Sequence, residues 1–353
     1  MQNLGVLIAV AIGLLGAPIA AQAPGMNPSD PLRIARVLAG KYPAQPSMSY
    51  ISALSWTGAM RLAALTGEDQ WLLRARQQMQ PFVDGRAPTI AEPHRLTGLA
   101  GHLAWLEAAM LTGDKTSGAL GDKAAAFILP QQPGELVRFA TKWTDDMFMA
   151  SAVLSRAGNG RHADAVGRLL TSYAAVLQRP DGLFNHAPDA PHAWGRGNGF
   201  ALLGVTDALI YLPDTWPDRA KVLAIYRTHL RALAKHQSDD GSWRQVIDEP
   251  SSYRELTVTA MTVAAMARGV SRGWIDRKIY EPIMNKGWQA VAARVHPDGT
   301  VRDVCSGTGA GPTKEYYLNR PVVNGADDRG GAMALLAAVE MATAKARTAA
   351  VRQ

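Results

Sequence analysis

Two adjacent carboxylates, Asp145 and Asp146, follow an aromatic ring in Trp143-Thr144-Asp145-Asp146-Met147-Phe148-Met149, at the head of an apolar run. An acid held at a helix end beside a ring able to stack on a sugar suits general acid/base chemistry on a carbohydrate. The helix N-terminus stabilises an ionised carboxylate, so burial or a neighbouring charge must raise the pKa of whichever one carries the proton. Asp145 sits near the helix N-terminus, and Trp143 is the candidate stacking surface. Asp146 is read as the helix cap and as a neighbour of the ligand; capping alone would account for both aspartates equally well.

Three further stretches gather polar and aromatic side chains. Phe184-Asn185-His186, followed by Trp194-Gly195-Arg196-Gly197-Asn198-Gly199-Phe200, offers an imidazole, a second indole and the planar fork of Arg196, which suits a carboxylate. Its glycines allow close backbone approach to a ligand, although a surface turn with Trp194 tucked against the next helix explains the same residues. No strand precedes it, so it is not a dinucleotide fingerprint. His186 and His192 have no acidic or Cys cluster nearby, which argues against zinc, and no cofactor is expected. The third stretch, Trp243-Arg244-Gln245 with Tyr253-Arg254-Glu255, could line a cleft through Trp243 and Arg244, or Glu255 could simply cap the helix starting near Leu256. The fourth, Asp303 to Tyr317, contains a Gly-rich run without the Gly-Lys-Ser/Thr of a phosphate loop, and Cys305 reads as a small packed side chain.

These stretches need elements to position them. Apolar residues recur at three and four in Ser52 to Leu65, Leu99 to Leu111, Met147 to Ser155, Ala163 to Leu177, Gly199 to Tyr211, Arg219 to His236, Thr257 to Arg268, Ile279 to Ala293 and Gly331 to Ala344. Only Ser242 to Val246 and Thr300 to Val304 read as short extended pieces. Helices starting with small residues end in Gly turns, as at Leu65-Thr66-Gly67 and Leu111-Thr112-Gly113, and more polar helices usually follow. Candidate inner helices start near Trp56, Gly98, Asp146, Asn198, Thr257 and Gly331, with a wider last interval. Six such hairpins can close into an (α/α)6 barrel or stack as an open solenoid. Aromatic and acidic residues gathered at the helix starts favour the ring. The expected organisation is a leader over 1–23, a Pro/Gly-rich surface segment over 24–46 and one all-α domain over 47–350.

Leu4 to Ala21 is apolar without a charged residue, and Ala21-Gln22-Ala23 has the small-x-small pattern of a cleavage site, so export to a periplasm or the exterior is expected. No later stretch has the length of a membrane span. With one cysteine there is no intrachain disulfide framework, and the 47% hydrophobic content must supply a core. The formal charge of +7 favours acidic partners. Nucleic acid is a poor candidate because Lys and Arg are scattered rather than striped; an acidic saccharide fits better.

At these loops the chain resembles the unsaturated glycuronyl hydrolases, and within them the unsaturated rhamnogalacturonyl hydrolases of pectin breakdown. The similarity rests on Trp143 to Met149, Gly182 to His186, Trp194 to Phe200, Ser242-Trp243 with Gln245-Val246 and Pro250 to Tyr253, Cys305 with Gly307-Thr308, and Asn324 to Gly331. It implies a ring of six helical hairpins and an exported enzyme that removes a 4,5-unsaturated uronic acid from lyase-generated acidic oligosaccharides by hydrating the double bond. It further implies that Asp145 is the general acid/base, with Trp143, His186, Trp194 and Arg196 contacting substrate and Arg196 pairing with the uronate carboxylate. The chain departs from the family pattern in three places: Phe200 stands where a Trp is usual, Gly134 to Phe139 holds neither His nor Trp, and the second family aspartate has no clean match, Glu92 being the nearest carboxylate. Ordinary inverting hydrolysis of a saturated glycuronide, using Asp145 with Glu92 or Glu255, and a non-catalytic carbohydrate-binding protein are the alternatives.

Overall fold

The computed structural model describes residues 27–352; the expected leader lies outside them. In chain order the helices are α1 (Pro31–Lys41), α2 (Tyr50–Thr66), α3 (Gln70–Val83), α4 (Leu96–Leu99), α5 (Leu103–Thr112), α6 (Lys115–Ile128), α7 (Thr144–Leu154), α8 (Ala163–Leu177), α9 (Gly195–Tyr211), α10 (Arg219–Lys235), α11 (Leu256–Ser271), α12 (Arg277–Ala292), α13 (Lys314–Leu318) and α14 (Asp328–Arg352). Two antiparallel ribbons interrupt them, β1 (Trp243–Arg244) with β2 (Arg254–Glu255), and β3 (Val301–Cys305) with β4 (Val322–Gly325). Both fall where short extended pieces are expected. The second ribbon, with α13 between its strands, accounts for the wide last interval.

Helices α2, α4–α5, α7, α9, α11 and α14 each pack on the next, and α14 returns to α2, so the inner wall is a closed ring rather than a solenoid. All six predicted inner helices are present. They are apolar or small on nearly every face, as Tyr50–Ala63 and Leu256–Val270 illustrate, because each is covered on the inside by its ring neighbours and on the outside by a second helix. The outer helices show one buried stripe, as in α8, where Val166, Leu169, Leu170, Tyr173 and Leu177 face inward. Gly204 permits the tight contact of α9 with α7: a Cβ there would stand 2.0 Å from the Met147 carbonyl oxygen. Gly67 and Gly113 close α2 and α5 in the left-handed conformation that the Thr-Gly turns predict.

The segment 24–46 needs correction. Pro31–Lys41 is not a surface connection but the outer helix that covers the seam between α14 and α2. Pro31 begins it behind the Asp30 cap, Gly40 falls in its last turn, and Ile34, Ala35, Leu38 and Ala39 form the buried stripe.

At the far end of the ring lies a buried belt of alternating charge with one member from each hairpin. Arg61 pairs with Glu107 at 2.6 Å, Glu107 with Arg156 at 3.2 Å, Arg156 with Asp207 at 2.7 Å, Asp207 with Arg268 at 2.9 Å, Arg268 with Glu340 at 2.9 Å, and Glu340 returns to Arg61 at 2.9 Å. Every charge has two opposite neighbours and the belt is formally neutral, which offsets the desolvation of ions in a nearly dry interior. Arginines on both sides hold the Glu107 carboxyl down at about 2 against the opposing effect of burial. The inner helices run parallel, so their N-termini share the opposite, open end, roughly 17 Å away at 1.5 Å per residue from Asp145 to Arg156.

Candidate active site

The open end is built from the loops that enter the inner helices. The Asp145 carboxylate stands 16% exposed in the first turn of α7, and its Oδ2 lies 3.1 Å from His186 Nε2. The other ring nitrogen of His186, Nδ1, is 2.7 Å from the Tyr317 hydroxyl, which accepts a hydrogen bond from the Gly311 N–H at 3.1 Å. His186 is fully buried, with the rings of Trp194, Trp143 and Tyr317 at 4.5, 5.3 and 5.7 Å, so its orientation is fixed. A backbone bond from Thr144 N–H to the His186 carbonyl at 2.9 Å ties the two loops together. Burial pushes the Tyr317 phenol up to about 12, so it stays neutral across the working range.

This chain of groups accommodates Asp145 in either protonation state, the two arrangements differing by one proton. With Nε2 protonated, His186 donates to an ionised Asp145 while Nδ1 accepts from Tyr317. With Nδ1 protonated and donating to the Tyr317 oxygen, Nε2 can only accept, and Asp145 must carry the proton. The arrangement therefore supports a carboxyl that gives up a proton and later takes one back.

Trp143 is half-buried beside Asp145 and faces Gly309 of the loop leading into α13, whose Tyr316 hydroxyl accepts from the Gly309 N–H at 3.0 Å. Below this mouth Tyr50 packs edge-on against Phe200 at 5.4 Å. Its phenol is pushed up to about 12 by burial, with Arg196 opposing and Asp145 reinforcing the shift. The Asp145–His186–Tyr317 group meets solvent through the exposed part of Asp145.

Several expected contacts turn out to be supports. Asp146 is neither the N-cap, which is Trp143, nor a ligand contact: it is buried and accepts from Thr141 N–H at 2.7 Å, Thr141 Oγ1 at 3.0 Å, Lys142 N–H at 2.8 Å and Tyr173 OH at 2.6 Å. It thereby fixes a turn in which Phe139 and Lys142 adopt left-handed φ values of 61° and 65°. Burial raises its carboxyl to about 6 despite these donors.

Arg196 is also buried rather than offered to a ligand. Its guanidinium donates to Thr257 Oγ1 at 3.0 Å, to Ser306 O at 3.2 Å and to Cys305 O, and it sits 3.6 Å from Glu255. Glu255 accepts from the N–H groups of Val258 and Cys305, so it caps α11 and joins Arg196 in clamping the loop that carries Gly309 and Gly311. Asn198 bridges both backbone groups of Phe184 and meets His229, and thus braces the strand of chain leading to His186. Phe200 is buried against Phe148, and Trp243 is buried with its indole N–H on the Leu233 carbonyl. Trp194 touches the site only through His186 and Tyr317. Arg244 lines a separate cleft. Glu92 is 86% exposed; its ion pair is with His94 at 3.7 Å, and no contact brings it to Asp145.

The sequence reading stops short of Tyr317, although that residue ends the fourth stretch. Its placement depends on the five-residue helix α13. Among the described residues, no three His, Cys, Asp or Glu side chains gather as a metal site would need.

The sequence profile described as Glycosyl Hydrolase Family 88 matches residues 26–345. The chain belongs to glycosyl hydrolase family 88. This family 88 protein is 27% identical over 272 residues to the unsaturated rhamnogalacturonyl hydrolase YesR of Bacillus subtilis, covering 74% of this chain and 67% of that one. It is 26% identical over 190 residues to an unsaturated 3S-rhamnoglycuronyl hydrolase of an Alteromonas species, covering 49% and 46%. The chain thus spans about two thirds of the first relative and less than half of the second. Among solved structures, a possible member of the GH105 family from Salmonella enterica superposes with a TM-score of 0.78 at 17% identity, over 95% of this chain and 99% of that one. The unsaturated glucuronyl hydrolase of Bacillus sp. GL1, responsible for glycosaminoglycan degradation, superposes at 0.65 with 13% identity, over 88% and 95%. The resemblance seen in the sequence is borne out, the fold is that of the helical-barrel hydrolases, and the family 88 chain is a glycoside hydrolase.

Proposed function

We propose that this glycoside hydrolase releases a 4,5-unsaturated uronic acid from the non-reducing end of acidic oligosaccharides left by a polysaccharide lyase, with rhamnogalacturonan-like pectic fragments as the first choice. The observation that carries the reading is the contact of Asp145 with a buried His186–Tyr317 pair beside the half-exposed Trp143. The names of the relatives support the substrate class.

In this reading Asp145 donates its proton to C4 of the double bond, and water adds at C5, losing its proton to the Asp145 carboxylate. C5 then bears both a hydroxyl and the ring oxygen, and rearrangement of this hydrated sugar breaks the glycosidic link and leaves a keto acid. Asp145 ends the cycle protonated, as it began. One proton-shuttling carboxylate suffices. An ordinary glycosidase needs two, placed about 5–5.5 or 6.5–9.5 Å apart across the scissile bond. Here Asp146 faces away and Glu92 is not joined to Asp145.

The test is incubation of the purified protein with lyase-generated pectic, ulvan, alginate and glycosaminoglycan disaccharides while following loss of the ultraviolet absorbance of the double bond. Turnover of saturated disaccharides with no loss on any unsaturated one would overturn the proposal. Export rests on the apolar run before Ala23 and would be checked by the N-terminal sequence of the protein recovered from outside the cytoplasm.

A further inference from the structure

A cleft of about 860 Å³ opens between the β1–β2 ribbon, the C-terminal turn of α12 and β3, one hairpin on from Trp194 and Arg196. Its volume falls in the range of about 300–1,000 Å³ usual for small-molecule sites. Four arginines line it, Arg244, Arg254, Arg294 and Arg302, against two carboxylates, Asp240 and Asp303.

The carboxylates serve only half of the arginines. Asp240 takes Arg294 at 3.0 Å and Arg254 at 3.5 Å, and Asp303 takes Arg294 again at 3.0 Å. Among the described residues Arg244 and Arg302 have no carboxylate; their hydrogen-bond partners are the backbone oxygens of Ser252 and Ala293. Arg244 moreover stands directly across the two-residue ladder from Arg254, a like-charge pairing that destabilises a ribbon and that Asp240 meets only from the Arg254 side, at 3.5 Å. On the other wall, β3 breaks register between Val301 and Val304, and Asp303 takes a left-handed φ of 62°. Such an irregularity re-aims side chains, and here it brings both Arg302 and Asp303 to the cleft.

We infer that this cleft is a second saccharide site, which receives the carboxylate or sulfate of an acidic sugar between Arg244, Arg254 and Arg302. The inference rests on the reading of the substrate as an acidic oligosaccharide. Guanidinium groups bind such oxyanions through paired N–H donors, and the polar Ser252 and Gln289 supply partners for sugar hydroxyls.

The test uses saturated tri-galacturonate, which has no double bond to react, titrated calorimetrically into the full chain. Arg254→Gln with Arg302→Gln, both at solvent-accessible positions, should weaken binding tenfold or more, while Asp145→Asn and Trp143→Ala should leave it unchanged. An affinity indifferent to the arginine pair, or lost with Asp145→Asn, would overturn the inference. So would inorganic sulfate that displaces the trisaccharide at equal concentration, which would mark a small-oxyanion site. Turnover of the unsaturated disaccharides is read separately: absent turnover with arginine-dependent binding defeats the proposed reaction alone, and turnover without such binding defeats the second site alone.

Discussion

Replacing Arg268 with Met cuts the charge belt at a point where the cost can be worked out. Arg268 meets Asp207 and Glu340, both at 2.9 Å, and its side chain and that of Asp207 are each only 2% exposed. Methionine fills most of the same volume, so the main change is electrostatic. Asp207 is left with Arg156 alone, Glu340 with Arg61 alone, and a neutral belt becomes a buried net negative charge. Breaking one partner of a buried pair costs about 3–5 kcal/mol, a large fraction of the roughly 5–15 kcal/mol that holds a folded protein together. At about 2 °C per kcal/mol for a large domain, the melting temperature should fall by about 6–10 °C. The assay is urea and thermal unfolding followed by far-ultraviolet circular dichroism. Removing the neighbouring opposite charge as well, Arg268→Met with Glu340→Met, restores neutrality and leaves Arg61, Glu107, Arg156 and Asp207 as an unbroken chain. The double variant should therefore lose less than the sum of the two single variants, with a coupling of about 0.5–3 kcal/mol. A single-variant cost below 1 kcal/mol, the scale of exposed pairs, or strict additivity would refute the view that the belt acts as a unit.

Asp145→Asn should lower turnover of the unsaturated disaccharide at least a hundredfold without changing the circular dichroism spectrum; a smaller loss would remove Asp145 from the proton-transfer role. Tyr317→Phe removes one hydrogen bond from His186 and should reduce kcat about tenfold with KM little changed; loss of thermal stability at full kcat would instead make Tyr317 a packing residue. Asp146→Asn should show the pH dependence of the buried carboxyl. Its folded pKa of about 6 lies above an unfolded value of about 3.9, so its contribution to stability is full below about pH 3.9 and is lost as pH rises through 6. The asparagine variant, able to accept from the same N–H groups, should gain on the parent protein between pH 4 and 6 and hold a constant lead above, as measured by urea midpoints. Parallel curves across that window would contradict the raised pKa.

The inner wall was open to reading because a helix surrounded on all sides is apolar on all sides, and two of the six runs, α2 and α5, end in recognisable Thr-Gly turns. Helix α1 escaped because the prolines around it and Gly40 in its last turn resemble a surface connection, while its buried stripe is only four residues. The belt escaped for another reason. Its members are separated along the chain by 46, 49, 51, 61 and 72 residues, so each reads as an isolated charge near the end of an apolar helix. Those intervals are the hairpin repeat itself, and the alternation of sign has meaning only once the ring closes. At the open end, residue types identified the right loops but not which side chains face the mouth. Arg196, Asn198 and Trp243 carry the chemistry of ligand contacts, yet their partners lie 61, 14 and 10 residues away inside the protein.

The two aspartates show why type and spacing underdetermine role. They occupy the same turn and feel the same helix end, but successive helical residues point about 100° apart. One step therefore sends Asp146 outward to Tyr173 of α8 and leaves Asp145 facing His186 across the mouth. Burial alone raises a carboxyl, and Asp146 has that shift without access to a ligand. Asp145 has partial exposure, an aromatic neighbour and a histidine within hydrogen-bond reach of its carboxylate. A reaction needing one reversible proton transfer favours the second environment, because a carboxyl fixed by four internal donors cannot turn to meet a sugar carbon. A raised pKa thus marks the residue that holds the loop in shape, while the carboxylate proposed to carry the proton is its partly exposed neighbour.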